Sequence, residues 1–235
     1  MIEEFFTAVQ TEPPQLTLVD HACLALLLVG VIYGVMKAYQ KQSCLFAFKG
    51  LQVIQLLTLY GWYIWTRTPI SESLPLYHCR MAMFALLLMP DEWLYKEYFA
   101  GIGVFGSIVA LLYPVFDPFP WFHVTIFSFI CGHVALLGSS LIYLQRRKAL
   151  HLTKRHIVEI TVILNLGILL VDILTGGDYG FLRQPPLVGN HGLFLNYLIM
   201  TLVFIVALCS VFKGLKFWRT LEEQRWSERV DEELG

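Results

Sequence analysis

Seven apolar runs, separated by short polar or charged stretches, make up most of the chain. They fall at 16–36, 44–65, 74–89, 94–113, 121–144, 157–174 and 193–212. Most approach the roughly 17–25 residues that cross a bilayer as a helix. The third, 74–89, is short and is open to being tilted, re-entrant or extended into its flanks. The runs are continuous rather than alternating, so they do not read as the strands of a barrel. Only helices and closed barrels satisfy their backbone in lipid. The pattern therefore predicts an all-α fold, a polytopic membrane helix bundle of about seven transmembrane helices. Residues 1–217 form the single bundle domain, and 218–235 a mixed-charge tail predicted as a short solvated helix. No soluble domain remains once the runs are assigned.

Composition agrees with this reading. Of 235 residues, 57% are hydrophobic and 15% charged, well away from a soluble domain. The net charge of −1 supplies no basic field for nucleic acid. Residues 1–17 carry Glu3, Glu4 and Glu12 and no Lys or Arg. A signal peptide begins with a basic region instead, so the first run is expected to stay in the mature protein.

Charge also orients the chain, because cytoplasmic loops are enriched in Lys and Arg. Lys37 and Lys41 follow the first run. Arg146, Arg147, Lys148, Lys154 and Arg155 follow the fifth. Lys213, Lys216, Arg219, Arg225 and Arg229 follow the seventh. The alternate loops hold only Arg67 and Arg183, with Arg80 at the mouth of the third run. Lys96 against Asp91, Glu92 and Glu97 leaves the loop after the third run ambiguous. The asymmetry predicts an outside N-terminus, a cytoplasmic C-terminus and a multi-pass protein of the cell membrane.

Polar residues inside such runs are costly and usually face a bundle interior or a wet cavity. His78-Cys79-Arg80 places three of them in succession near one end of the short run. A free Cys beside a cation is also an environment that favours thiolate chemistry. The other cysteines, Cys23, Cys44, Cys131 and Cys209, read as small apolar residues. No C-x-x-C pair occurs, and an odd number argues against a disulfide framework.

Lys49, Gln52 and Gln55 lie on one drifting helical face. They read as a stripe that hydrogen-bonds a neighbouring helix or as one wall of a polar cavity. Thr161, Asn165 and Asp172 form a second stripe. Asp172 needs a partner, for which Arg80, Arg183 and the imidazoles are candidates. His123 and His133 sit ten residues apart on the fifth run. Gly101, Gly103 and Gly106 spell G-x-G-x-x-G, but the dinucleotide fingerprint needs a strand, a turn and a helix start. Inside an apolar helix the glycines predict close helix approach through Gly101, Gly106 and Ala110. No H-E-x-x-H or i,i+4 His pair points to a metal, and no cofactor is implied. His123, His133, Asp172 and Cys79 would form a metal site only by converging in space.

Four ordered segments carry a family resemblance. They are Leu74-Pro75-Leu76-Tyr77-His78-Cys79, Ala110-Leu111-Leu112-Tyr113-Pro114, the His123/His133 pair, and Gly176-Gly177-Asp178-Tyr179-Gly180-Phe181-Leu182. Together they resemble the YwaF / transmembrane protein 164 family of integral membrane proteins, over roughly residue 74 to the end of the last run. Four departures stand out. His78 falls one position later than the family's His, Val134 replaces a Gly, Asp178 replaces an Asn, and Asp172 stands where an Asn is common. The resemblance implies a Cys-dependent acyltransferase that moves an acyl chain between membrane phospholipids and lysolipids through a thioester.

On that reading Cys79 is the nucleophile and a His the base. Helix-rise counting from the outer edge favours His123, whereas the resemblance favours His133, which is named first. Adjacent His78 diverges from Cys79 by about 100° and is not expected to be the partner. Arg80 and Arg183 are expected to hold a lipid phosphate. Asp178 and Tyr179, with Asp172, are expected to complete the headgroup site near the outer leaflet. If water enters, the same machinery is a lipase. Two alternatives stand beside this reading. One is a transporter or lipid-binding protein that uses the polar stripes as a pathway. The other is a non-catalytic assembly protein. A Cys79 sulfur within hydrogen-bond reach of an imidazole, in an open cleft, would favour the enzyme.

Overall fold

Residues 2–186 and 188–234 are described in the computed structural model of the protein. Among them the regular structure is helical: α1 (Ile2–Phe5), α2 (Leu18–Ala38), α3 (Gln42–Thr66), α4 (Ile70–Ser73), α5 (His78–Leu88), α6 (Leu94–Leu112), α7 (Val124–Arg146), α8 (Lys154–Thr175) and α9 (Leu193–Leu234). Six of these, α2, α3, α6, α7, α8 and α9, are long and apolar enough to cross a membrane. The all-α class of the sequence reading holds.

The seventh pass departs from a full transmembrane helix. α5 has 11 residues, a rise of about 16 Å against a hydrocarbon core of about 30 Å. Proline ends α5 at Pro90, and at Pro75 it ends α4 and so keeps it separate from α5. Leu74 and Met89 precede Pro75 and Pro90 and are extended, with ψ of 147° and 144°. A residue before proline is driven out of the helical region.

Side-chain ties nevertheless show that the chain alternates between two ends of the bundle. At one end Arg146 donates to Tyr39 O, Tyr143 to Asp91 O, and Arg219 to Leu144 O. At the other, Arg80 donates to Tyr63, Trp62 to Phe6 O, and Thr11 N to Pro118 O. The first end carries the basic loop, and the second is rich in aromatic rings. The tail is not a separate helix. α9 continues from its apolar part, Leu193–Leu221, to Leu234 without a break. The side chains of Arg225 and Arg229, and Gly235 altogether, lie outside the described residues.

The core is centred on α7. Its apolar stretch is 67% buried, against 17% for α2, which turns most of its surface outward. Gln52 and Gln55 of α3 hold α5 and α7 together. Gln52 Nε2 donates to Met83 O at 2.6 Å, and Gln55 Oε1 accepts from Ser128 at 2.6 Å. Ser139 donates to Gln52 Oε1 at 3.3 Å. Gln52 and Gln55 of the stripe are therefore bundle-facing and satisfied. Buried Glu97 closes the basic end by accepting from the backbone of His151 and Leu152, with Arg147 at 3.6 Å. Burial by itself would push the Asp91 carboxyl up, but the Lys96 ammonium at 2.7 Å outweighs it and holds the carboxyl below its usual range.

The three glycines of α6 meet three different helices. A Cβ at Gly101 would meet Phe212 of α9, one at Gly103 would meet Ser140 of α7, and one at Gly106 would meet Cys79 of α5. Close approach at Gly101 and Gly106 is as expected. Gly138 of α7 packs as tightly, since a Cβ there would lie 2.5 Å from the Phe48 ring, whereas Gly167 faces open space. Gly138→Ala is expected to destabilise the protein by about 1–3 kcal/mol through overpacking. Gly167→Ala should be neutral or stabilising by up to about 1 kcal/mol through helix propensity. Thermal unfolding in detergent compares them, and equal melting temperatures would refute the packing assignment.

Candidate functional site

The first turn of α5 sends three consecutive side chains to three different neighbours, as a rotation of about 100° per residue requires. His78 turns towards α8 and α9. Its Nε2 lies 2.8 Å from Asn165 Oδ1, and its ring stacks on Phe204 at 4.1 Å. Asn165 Nδ2 in turn donates to Thr201 at 3.0 Å. His78 is thus locked into a buried network, consistent with the expectation that it is not the partner of Cys79.

Cys79 turns to α6. Its sulfur sits over the bare backbone of Gly106, where a Cβ would lie only 2.6 Å away. Among the described residues the thiol makes no hydrogen bond to an imidazole, so the contact that would mark the enzyme is absent from this arrangement. Arg80 turns to α3, where Nη2 donates to Tyr63 Oη at 2.9 Å. Its guanidinium carbon lies 5.3–5.7 Å from the ring centroids of Tyr60, Tyr63 and Tyr77.

The two histidines of the fifth run differ in what they have left to offer. His123 is the N-cap of α7 and is fully buried. Its Nδ1 accepts from Thr125 N at 3.3 Å, and Nε2 lies 3.0 Å from Thr7 O. Phe119 stacks on it at 4.0 Å. Both ring nitrogens are committed to structure. His133 uses only Nδ1, bonded to Phe129 O of its own helix at 2.7 Å. It follows Gly132, whose Cβ would meet Met83 of α5 at 3.0 Å, one turn beyond Cys79.

The expected headgroup residues assemble elsewhere, in the loop after α8. Asp172 Oδ1 accepts from Tyr179 N at 2.9 Å. The Tyr179 hydroxyl accepts from Leu74 N and donates to Ile70 O, pinning the segment that leads into α5. Asp178 closes the loop by accepting from the backbone of Arg183 and Gln184. Arg183 donates to Asp172 O at 2.9 Å and Gly176 O at 3.4 Å, so it covers the C-terminal carbonyls of α8. These four residues form a latch, and Arg80 is not among its members. Nor do His123, His133, Asp172 and Cys79 gather: among the described residues no group of three His, Cys, Asp or Glu forms a candidate metal site.

Several residues of the site escaped the sequence reading. Tyr60 and Tyr63 stand at i,i+3 near one end of α3, a spacing that marks a shared face. Their partner Arg80 is supplied only by tertiary packing. Thr201 and Phe204 carry no sequence signal, because a Thr and a Phe in an apolar helix are ordinary.

Six membrane-length helices and one short helix with a polar first turn define a multi-pass helical membrane protein. The chain belongs to the TMEM164 family, whose sequence model matches residues 6–216. The match extends the resemblance back through the first two apolar runs. No curated protein and no solved structure matches the chain.

Asn165→Leu is expected to cost about 1–3 kcal/mol, since it leaves His78 and Thr201 without their buried partner. A lowered melting temperature in detergent checks this. No change would mean that stacking on Phe204 alone holds His78.

Proposed function

We propose that the protein is a membrane-embedded acyltransferase that moves an acyl chain between phospholipids and lysolipids through a thioester on Cys79. The observation that carries the reading is the uncommitted Nε2 of His133, on the helix that packs against α5 at Met83, one turn beyond Cys79. His123 has no such nitrogen to give. Family membership supports the same pairing through the resemblance of the Leu74–Cys79 segment and of the two histidines.

The chemistry balances as follows. His133 takes the thiol proton, and the Cys79 thiolate attacks the ester carbonyl of a donor lipid. The new C–S bond replaces the C–O bond, and the departing lysolipid oxygen takes the proton from His133. The hydroxyl of an acceptor lysolipid then gives its proton to His133 and attacks the thioester. The C–S bond breaks and Cys79 regains the proton. Cys79 must first swing from Gly106 towards α7, a rotation about χ1. Catalytic hydrogen bonds are often unformed before substrate binds. Arg80 serves the donor lipid from the next position along the helix. Arg183, Asp178, Tyr179 and Asp172 act at one remove, by fixing the segment that enters α5. On the charge pattern, the site faces the outer leaflet of the cell membrane.

The transport reading is less well supported. Gln52 and Gln55 are satisfied by Met83, Ser128 and Ser139, and Asn165 by His78 and Thr201. These groups act as glue between helices rather than as free polar atoms along a path.

Cys79→Ala is expected to abolish labelling by an acyl-donor probe in membranes without lowering expression. His133→Ala should slow labelling by about 100-fold or more, the usual share of a general base. His123→Ala should retain labelling and lose thermal stability. Persistent labelling of the Cys79→Ala protein would overturn the nucleophile, and full activity without His133 would overturn the base.

A further inference from the structure

The tight glycines of the bundle differ in what they hold. Phe212 and Leu208 press on Gly101, Leu136 and Ser140 on Gly103, and the Phe48 ring on Gly138. Gly106 holds something else. Apart from its chain neighbours and the backbone of α6, the Cys79 sulfur is the single atom among the described residues within 4 Å of the place its Cβ would take. The room left by the missing side chain is taken by the end of a thiol.

The backbone on both sides of that contact is braced. Tyr179 fastens Leu74 and Ile70 ahead of α5. His78 is tied to Asn165 and Phe204, and Arg80 to Tyr63. Phe204 also meets the ring of Phe105, the residue before Gly106, at 5.8 Å. Rotation about χ1 of Cys79 is what these ties leave free. Such a torsion has three staggered wells. One puts the sulfur over Gly106, and the others, about 120° away, turn it off the glycine.

We infer that Gly106 is a positioning residue of the site, a berth that holds the Cys79 thiol in a resting rotamer without an imidazole in hydrogen-bond reach. The inference rests on the acyl-transfer reading for what the thiol does once it leaves. The berth itself requires the missing Cβ and nothing more. A berthed thiol is shielded from stray electrophiles, and leaving the berth is a step that precedes attack. Gly106 thereby sets the share of molecules whose nucleophile is ready, while the bonds made and broken stay the same.

Gly106→Ala closes the berth. Non-bonded heavy atoms keep about 3.5–4.0 Å apart, so a methyl carbon 2.6 Å from the sulfur leaves no room for both. The sulfur is the free end of a short side chain. It yields by rotation, with no ring or backbone to shift.

The test uses the full chain in nanodiscs, with isotope-labelled cysteine β-carbons and the Cys79 signal assigned by its loss in Cys79→Ala. Gly106→Ala is expected to move that signal, which reports χ1, and to leave those of Cys23, Cys44, Cys131 and Cys209 in place. Alkylation of Cys79 by N-ethylmaleimide, read by peptide mass spectrometry, should speed up by about ten-fold or more, because the minor state of such an equilibrium is populated at about 10% or less. An unmoved signal or an unchanged alkylation rate overturns the berth. Melting temperatures give a second, independent comparison. Gly106→Ala should lower the melting temperature when the thiol is present and spare it in the Cys79→Ala protein, where no sulfur is in the way. An equal loss in both backgrounds, or failure to fold in both, means that the glycine serves helix packing and overturns the berth. Failure to fold with the thiol alone supports it. Acyl-donor labelling is scored separately. A thiol that moves and alkylates faster without a gain in acyl labelling keeps the berth and removes the acyl-transfer reading.

Discussion

Everything near the site depends on how one short helix satisfies polar groups where water is scarce. α5 must place an imidazole, a thiol and a guanidinium in its first turn. Helical rotation forbids any one neighbour from serving all three. The fold answers with three neighbours: Asn165 and Phe204 for His78, Gly106 for Cys79, and a group of tyrosines for Arg80. Because each tie goes to a different helix, α5 fixes the spacing of α3, α6, α8 and α9 at the aromatic end.

The latch beyond α8 serves the same end. Tyr179 reaches across to Ile70 and Leu74, and Asp172 holds its backbone. The entry to α5 is thereby fastened to α8 immediately before the polar turn begins. At the middle of α5, Gln52 and Gln55 grip Met83 from α3. An 11-residue helix with proline beyond each end has little stability of its own, and these ties supply what its length cannot.

Much of the architecture was legible in the chain. Six of the seven apolar runs became membrane-length helices, with ends within a few residues of the hydrophobic boundaries for all but the last, because length and continuous apolarity leave few options in lipid. The shared face of Gln52 and Gln55 and the helix contacts of Gly101 and Gly106 followed from spacing, but only packing showed the two glutamines to be satisfied. The last helix outran its apolar stretch, since residues that end a membrane span do not thereby end a helix. The third run was legible as unusual, and Pro75 and Pro90 carry the reason.

The site was legible only in its residue types. The sequence by itself determined that Cys79 stands apart from the other cysteines, that its neighbours are ionisable, and that the chain is a membrane bundle of the TMEM164 family. It could not decide between His123 and His133, because both are histidines at allowed depths. Tertiary structure gave them different hydrogen bonding, by tying both nitrogens of His123 to Thr7 and Thr125 and one of His133 to its own helix. It also tied Arg183 and Asp178 into the loop after α8 and put Tyr60 and Tyr63 around Arg80. The physical reason is common to all of these. A side chain's chemistry is written in the sequence, but its unused hydrogen-bonding capacity depends on which groups packing brings within three ångströms of it.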